Sequence, residues 1–362
     1  MPRIPARLAW FVELLVAIFL VISSMTAGCD NPTPTPTPTK TPLPSATATA
    51  PPATATSLPR NDVNPLTGLI ADPALLQRRP IHVRIGNDPE IRPQSGLEKA
   101  DLVFEDVMEG WWVTRLTAVY LGQDPDKVGP VRSVRLVNLE LAPQFDAAMA
   151  HSGASDRIRW TISQSTITDL DEYFHPTPYF TVEGKDWRGR LFTSGDRLRK
   201  YLSDKGKEKA VPLKGFTFSP QAPTISAGPA MTVTVPYPTS SVVNWRYDAS
   251  AKAYVRFVNG DPHLDANSNQ QLSVANVVIL YAEHRKTDIV EDSLGNTAID
   301  IVLRGQNRVQ LCRDGLVVQG TWKREALEQL FQFFDQEDQP LLFRPGKTWF
   351  EIVPTDMAVE IR

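Results

Sequence analysis

The feature that most limits where this chain can fold is the segment Asp30–Arg60. It contains nine proline and nine threonine residues in 31 positions and no aromatic residue. Such a segment cannot bury enough apolar surface to offset the entropy lost on ordering. Its alternating Thr33–Pro38 run favours extended polyproline II, with a reach on the order of 90 Å at ~3.1 Å per residue. We therefore predict a disordered tether over residues 29–60 and a folded region that begins near Asn61.

The residues before the tether are typical of a secretion signal. Arg3 and Arg7 precede an apolar run, Leu8–Ile22, and small residues follow that run. A basic start, a short apolar stretch and small residues before a cut define such signals. We predict a signal peptide over residues 1–28 and an extracytoplasmic location for the remainder.

Cys29 follows Thr26-Ala27-Gly28, which resembles a bacterial lipobox with threonine where leucine is usual. In that class the peptide is cut before the cysteine, which then carries acyl chains such as palmitate. The alternative is an uncleaved transmembrane anchor. Leu14–Ile22 spans only nine residues, however, well short of the ~20 needed to cross a bilayer. We predict a lipoprotein held at the extracytoplasmic face of the cell membrane through Cys29.

Composition and motifs exclude several classes of function. The formal net charge of −3 gives no global field for nucleic acid, so no nucleic-acid partner is predicted. Two cysteines cannot form a disulfide framework, and Cys312 is interpreted as a half-buried packing residue. Asp261, His263 and Asp265 do not match a zinc spacing and are interpreted as solvated turn residues. The chain lacks the common nucleophile, zinc-protease, phosphate-loop and redox motifs, and no cofactor or metal is predicted.

The region after the tether divides into two segments. In residues 61–209, apolar side chains alternate along Ile81–Ile85 and predict a strand with one apolar face, whereas Thr114–Leu121 is apolar on both faces, like a central strand. Ser133–Asp146 has apolar residues at helical spacing. Thr193–Asp196 resembles a capping box that opens a helix to about Asp204.

The second segment, residues 241–355, reads as mostly β. Turn signals at Asn259-Gly260 and Asp314-Gly315 separate strand-like runs. Residues 210–240 are rich in proline and are predicted to be a linker with one short strand at Thr232–Val235. Apolar residues from Leu327 to Phe334 have helical spacing and predict a short helix that ends near Leu330.

Several short motifs resemble those of the YerB-like lipoproteins, a bacterial family with paired N- and C-terminal domains of unknown function. The resemblance runs from about Asn64 to Pro354. Two of its motifs are specific, Arg92-Pro93-Gln94-Ser95-Gly96 and Gly129-Pro130-Val131-Arg132-Ser133. The others are Glu109-Gly110, Thr114-Arg115, His151-Ser152-Gly153, Gly320-Thr321-Trp322 and Pro345-Gly346-Lys347-Thr348-Trp349. It implies an α/β (α+β) fold, with a layered sheet-and-helix N-terminal domain and a mostly β C-terminal domain. It implies no established activity.

Charged and polar residues concentrate between Ile81 and Arg135. Guanidinium groups suit carboxylate or phosphate ligands, but the many acidic residues nearby can also pair with them in a structural network. Both alternatives stay open at this point. The candidate ligand-binding residues are Arg92, Gln94, Ser95, Glu98, Asp101, Glu105, Arg115, Arg132, Arg135 and His151.

The predicted function is non-catalytic binding of a ligand or an envelope partner by a lipid-anchored protein. Its partners would be the membrane, through the lipid, and an envelope protein or an acidic ligand. The alternative is an enzyme acting on envelope polysaccharide with a pair of carboxylates from Glu105, Asp106 and Glu109. Replacing Arg132, at the expected helix entrance, is predicted to reduce stability more than replacing Arg135.

Overall fold

The computed structural model describes residues 61–224, 227–238 and 240–362. The predicted signal peptide, Cys29 and the tether lie outside the described residues. Within that described part of the chain, no helix has both the length and the apolar character required to cross a membrane.

Strands dominate the fold, and the helices are short. The helices are α1 Pro73–Leu76, α2 Leu136–Leu141, α3 Asp156–Ser163 and α4 Gly195–Asp204. The strands up to residue 209 are β1 Ile81–Gly86, β2 Leu102–Val107, β3 Thr114–Tyr120, β4 Ala148–His151, β5 Thr168–Asp171, β6 Phe180–Thr181 and β7 Leu191–Phe192. The later strands are β8 Thr217–Phe218, β9 Ala227–Pro229, β10 Thr232–Val235, β11 Val243–Asp248, β12 Ala253–Val258, β13 Asp261–Pro262, β14 Ser273–Val274, β15 Asn276–Val290, β16 Thr297–Val302, β17 Gly305–Arg313, β18 Leu316–Arg324, β19 Gln332–Asp335, β20 Leu342–Phe343, β21 Thr348–Pro354 and β22 Glu360–Ile361.

One sheet of twelve strands runs through both predicted segments. Its main order is β19-β18-β17-β15-β21-β2-β3-β1-β4-β5, with β16 paired to β15 and β9 to β18. The two segments meet where β2 pairs in parallel with β21. Since β2 and β1 each pair antiparallel with β3, and β4 and β5 continue parallel to β1, the strands β1, β2, β4, β5 and β21 all run the same way. Their carboxyl ends therefore lie along one edge.

Both faces of this sheet are covered, which explains why β2 and β3 are buried at every position. On one face, β10–β12 of a six-stranded second sheet and α4 pack against the central strands. On the other face, α2 and a group of phenylalanines form a second core, in which Phe104 of β2 stacks on Phe350 of β21 with ring centres 4.6 Å apart. The predicted layered α+β arrangement is confirmed, and so is the central position of Thr114–Leu121.

The stretch expected to be a linker is built into the fold. Its three strands pair with four others, β8 with β20, β9 with β18, and β10 with β11 and β22. The short strand predicted at Thr232–Val235 is confirmed as β10. All described residues belong to one compact unit, so the two segments share one body.

Two predicted helices are wrong, and the predicted strand at Ile81–Ile85 is present but more buried than its pattern indicated. The helix expected from Ser133 begins at Leu136, because Arg132 still follows the sheet and its amide donates to Arg84 O. Strand β1 is buried on both faces, since His82 packs edge-on against Phe145 at 5.0 Å. The stretch before Phe334 forms no helix, because residues 332–335 pair with β18 instead.

Phe350→Ala tests whether the two segments unfold as one. Loss of this stacked, fully buried ring should cost about 3–5 kcal/mol, and the cost should reach both segments because Phe104 and Phe350 lie in the same core. Hydrogen exchange of the full chain in increasing urea should show residues 61–209 and 241–355 losing protection together in the wild type and in the variant. Earlier exchange in the second segment alone would contradict this prediction.

Candidate functional site

The carboxyl ends of the parallel strands gather most of the charged candidates. We use the term carboxyl edge for the loops that follow β1, β2, β4 and β5, together with the start of β3. Arg115 lies there because it pairs with Gly86, the last residue of β1. Arg132 lies there because it extends alongside β1. Edges where parallel strands end are common ligand sites, since several loops converge on one place.

Arg135 is the residue at this edge that is fully paired. Its Nε and Nη2 donate to the two carboxylate oxygens of Glu109 at 2.8 and 2.5 Å, and its Nε lies 3.4 Å from Glu291. Its amide is capped by Asn138 Oδ1 at 2.9 Å. The ion pair orders the loop, and the cap marks the point where α2 begins. Arg135 therefore has a structural role at this edge.

Arg115 and Arg132 differ from Arg135, because neither forms an ion pair with any residue in the described ranges. Arg115 is 7% exposed; Nη1 donates to Ser133 O at 2.8 Å, and its buried Nε has no partner. Arg132 makes no side-chain hydrogen bond within the same ranges; its guanidinium lies 4.8 Å from the centre of the Trp187 ring. Its Nε is likewise buried and unpartnered.

Gly86 explains how Arg132 reaches this position. A Cβ at residue 86 would lie 2.6 Å from Cγ of Arg132. The absence of a side chain therefore lets the arginine lie directly over the end of β1.

Like charges crowd together in this arginine cluster, which we define as Arg115, Arg132 and Arg135. Burial, followed by the charges of Arg135 and Arg132, lowers the pKa of Arg115 well below its usual value. Burial also lowers the pKa of Arg132, against the opposing effect of Asp88. Both ion pairs of this cluster, to Glu109 and Glu291, are made by Arg135, so the charges of Arg115 and Arg132 are left without a carboxylate in direct contact. An added anion would relieve this imbalance.

His151 ends β4 at the same edge but faces inward. Its side chain is fully buried, with Nε2 2.8 Å from Asp169 Oδ1 and Nδ1 3.1 Å from Gly153 O. Both ring nitrogens are engaged by neighbouring groups, so His151 supports the Ser152-Gly153 loop and offers no free nitrogen to a ligand.

Glu105, Gln94 and Arg92 belong to a separate, closed network beneath the second sheet. Its centre is Arg256, whose guanidinium donates to Glu105 Oε2 at 2.5 Å, Glu351 Oε1 at 3.0 Å and His263 Nδ1 at 3.0 Å. Arg256, Glu105 and Glu351 are all 0% exposed. Trp349 lies 4.2 Å from the guanidinium carbon.

The hydrogen bonds of this network continue outward from His263. Burial and the charge of Arg256 hold the pKa of His263 well below its usual value, so the ring is neutral and its Nε2–H donates to Gln94 Oε1 at 2.7 Å. Gln94 Nε2 donates to Asn87 Oδ1, which also accepts from Arg92 Nε at 2.9 Å. Arg92 in turn donates to Ser240 O at 2.8 Å. The interpretation of His263 and Asp265 as solvated is therefore wrong, because they are 3% and 1% exposed.

The remaining candidates stabilise turns away from the carboxyl edge. Asp101 accepts from the amides of Leu121 and Gly122 at 2.6 and 2.9 Å. Ser95 exchanges main-chain hydrogen bonds with Gly129, and the Glu98 amide donates to Asp265 Oδ2 at 2.9 Å. These contacts join loops, and they leave no group of these three residues in the arginine cluster.

The geometry does not favour the carboxylate-pair enzyme built on Glu105, Asp106 and Glu109. Asp106 forms a two-point pair with Arg84 at 2.5 and 2.7 Å and is 1% exposed. Glu105 is closed in the network, and Glu109 is held by Arg135. An acid–base pair must reach the bond that it cleaves, and burial denies that reach to Glu105 and Asp106.

One large cavity, of about 700 Å³, is lined by residues on and beside β5, from Ser165 to His175. A second, of about 620 Å³, lies at the opposite end of the sheet from the carboxyl edge and is lined by residues at or before the starts of β1, β4 and β5, such as Arg79, Ala147 and Thr168. Its charged groups pair with one another, since Arg79 and Lys209 both contact Asp146. This cavity therefore offers less unbalanced charge than the carboxyl edge.

Sequence reasoning missed two groups of residues. The first contains the partners of the buried network in the second segment, Arg256, Glu351, Trp245 and Trp349, whose role depends on a distant strand pairing. The second contains exposed aromatic side chains at the carboxyl edge, Trp111, Trp112, Trp160, Tyr173, Phe174 and Trp187. Adjacent tryptophans after a strand, as at Trp111-Trp112, were the one local signal available. Cys312, expected to be half-buried, is 0% exposed.

Glu351→Gln tests the charge state of the buried network. Burial and the neighbouring Glu105 raise the pKa of Glu351 to about 8, so the folded chain retains a proton that the unfolded chain releases near the ordinary glutamate value. Stability from this group is complete below that unfolded pKa and is lost as pH rises through about 8. The variant, measured by urea unfolding at pH 5, 6.5 and 8, should gain on the wild type as pH rises. A constant difference would contradict the prediction. His263 and His82 contribute to the pH dependence of stability with the opposite sign. Because both proteins contain them, these contributions cancel in the comparison with the wild type.

Substituting Arg135 and Arg132 one at a time distinguishes an arginine that stabilises the fold from one that belongs to the candidate binding site. Arg135→Ala strands the largely buried Glu109 and should cost about 3 kcal/mol, the lower end for breaking a buried pair. Arg132→Ala removes only a contact with an exposed ring and should cost less than about 1 kcal/mol. This order reverses the one expected from sequence, because the helix begins at Leu136. Thermal melts of the two variants measure it, and equal losses would show that Arg132 is also part of the framework.

Comparison with known proteins identifies two family domains in the chain. The protein of unknown function (DUF3048) N-terminal domain matches residues 66–208, and its C-terminal domain matches residues 233–350. The "Putative lipoprotein YerB" of Bacillus subtilis (strain 168) is 32% identical over 306 residues, which cover 82% of this chain and 88% of that protein. The crystal structure of the Bacillus subtilis YerB protein aligns with a TM-score of 0.72 at 28% identity, covering 82% of this chain and 99% of the other. The chain therefore belongs to the DUF3048 family, whose two domains have no assigned function.

Proposed function

We propose that this protein is an extracytoplasmic lipoprotein, anchored through Cys29, that binds an anionic ligand of the cell envelope at the carboxyl edge. The sequence from Arg3 to Cys29 and the description of the Bacillus subtilis relative as a lipoprotein support the anchor. The ligand is bound without being converted, because the carboxylates considered for catalysis are buried or paired.

One observation carries the binding proposal. Arg115 and Arg132 are brought to one edge with buried Nε groups that no described residue satisfies. Buried donors without partners are costly, and buried guanidinium groups are normally paired. A carboxylate or phosphate group, accepting from both arginines, would satisfy these donors and the excess charge together.

Cys29→Ser tests the anchor. Removing the acylated thiol should move the chain from the detergent-soluble membrane fraction to the aqueous fraction of a bacterial extract. Intact-mass analysis of the wild type should show a chain that begins at residue 29 and carries acyl chains. A wild-type chain that retains Met1, with no change of fraction in the variant, would contradict the proposal.

Arg115→Gln and Arg132→Gln test the ligand site. Each should weaken binding of inorganic polyphosphate or of an oligogalacturonate by about 1–3 kcal/mol, the value of a hydrogen bond to a charged group, while Arg132→Gln leaves thermal stability nearly unchanged. Titration calorimetry with the full chain measures both. Arg246→Gln is the matched control, because Arg246 also lies over a ring, Phe257, at 4.2 Å, but is exposed on the second sheet. Equal losses in the control would refute the site.

A further inference from the structure

Exposed aromatic side chains are concentrated on a single edge of this protein. In the described part of the chain, six large aromatic side chains are exposed, and all six lie on elements of the carboxyl edge: Trp111 and Trp112 after β2, Trp160 on α3 after β4, Tyr173 and Phe174 after β5, and Trp187 beside Arg132. Contiguous exposed apolar surface usually marks a site of interaction.

Three of these rings carry an arginine on one face. Arg132 lies 4.8 Å from Trp187, Arg159 lies 5.2 Å from Tyr173, and Arg157 lies 5.8 Å from Trp160. The three rings nevertheless remain 66%, 70% and 60% exposed. Each pair therefore places a flat apolar surface next to a guanidinium group, although Arg159 is also paired with Asp171 at 2.8 Å. The three rings lie on helix α3, in the turn after β5 and between β6 and β7.

This repeated pairing narrows the class of ligand, on the assumption that the arginine cluster binds an anion as proposed above. We infer that the carboxyl edge binds an anionic glycan, whose sugar rings stack on the aromatic side chains while its carboxylate or phosphate groups accept hydrogen bonds from Arg115 and Arg132. Sugar rings have apolar C–H faces with polar rims, which suit aromatic surfaces that are open to water. Several platforms along one edge suit a ligand with several rings.

The side chains around the aromatic residues favour a glycan over a lipid surface. The elements that carry the six rings expose no large aliphatic side chain among the described residues, and the neighbouring turn that supplies Glu291 exposes only two, Val290 and Leu294. Interfacial membrane segments, in contrast, bury leucine-rich faces along with aromatic ones. Carboxylates are interspersed with the rings. Asp186 pairs with Arg188 in the Trp187 loop, and Glu172 precedes Tyr173. A bilayer would present its anionic groups to all of these carboxylates at once, whereas a single chain with spaced charges meets only the arginines that it contacts.

Binding to four probes tests this inference. The full chain carrying Cys29→Ser, which lacks the acyl anchor, is titrated with an oligogalacturonate, a phosphomannan, a neutral galactose oligomer and inorganic polyphosphate. At least one of the first two, which combine rings with charge, should bind ten times or more tightly than the neutral oligomer and polyphosphate. The one preferred identifies carboxylate or phosphate as the anionic group. Polyphosphate binding as tight as that of both charged glycans would overturn the inference but leave the proposed function standing. Failure of all four probes would overturn both.

Substitutions distinguish the rings from the charges. Trp112→Ala with Trp187→Ala should reduce binding of the preferred glycan tenfold or more and leave polyphosphate binding unchanged. Ile70→Ala is the matched control, because Ile70 is 71% exposed at the opposite end of the sheet, and it should change neither affinity. Unchanged glycan binding in the double variant would overturn the inference. Vesicles that contain anionic lipid form a further arm, and binding to them that depends on Trp112 and Trp187, without glycan binding, would replace the glycan with a membrane surface.

Discussion

The ion pairs of Arg256 are the interaction on which the single folded unit formed by both segments depends. Arg256 lies on the second sheet, yet its guanidinium contacts Glu105 of β2 and Glu351 of β21, which are register partners on neighbouring parallel strands. One arginine thus joins three strands drawn from both segments. Burying such charges is costly, and a buried ion pair is rarely stabilising compared with an apolar core. Its use here is geometric, because only one register of β2 against β21 places both carboxylates within reach of Arg256.

The same physical chemistry separates the arginines of this chain into two kinds. Arg84, Arg135 and Arg256 each contact a carboxylate at 2.5 Å, and the pairs hold strands or loops together. Arg115 and Arg132 have no carboxylate partner in the described ranges, although each is brought to its place by main-chain geometry, through the Arg115–Gly86 register and the bond of the Arg132 amide to Arg84 O. The sequence left open whether these arginines form a network or a ligand site. The structure places Arg84, Arg135 and Arg256 in ion-pair networks, and the proposed ligand site rests on Arg115 and Arg132.

Local features of the fold could be predicted from sequence, and long-range ones could not. The turns at Asn259-Gly260 and Asp314-Gly315 were readable because both residues of each pair adopt positive φ, which asparagine, aspartate and glycine tolerate best. The pairing of β2 with β21 was not readable. It places Trp349 within hydrogen-bond distance of Glu105, 244 residues earlier in the sequence. No local pattern specifies a parallel partner strand at that sequence separation. The burial of His82 and Arg84 was not readable for the same reason, since the groups that cover them come from elsewhere in the chain.

The candidate site shows the same limit of sequence reasoning more clearly, because tryptophan is a core residue at some positions of this chain and an exposed residue at others. Trp245, Trp322 and Trp349 are at most 1% exposed, whereas Trp112 and Trp187 are 65% and 66% exposed, and nothing in their sequence neighbourhoods separates the two groups. The structure separates them because the buried rings lie within strands of the two sheets, while the exposed rings lie in loops at the carboxyl edge. The sheet faces hold the cores and the Arg256 network, so the loops at this edge contribute little to the main cores. Exposed rings can be kept in such loops at small cost to the fold. That separation between a stable sheet and an edge of unsatisfied groups is what makes the carboxyl edge suited to a binding role.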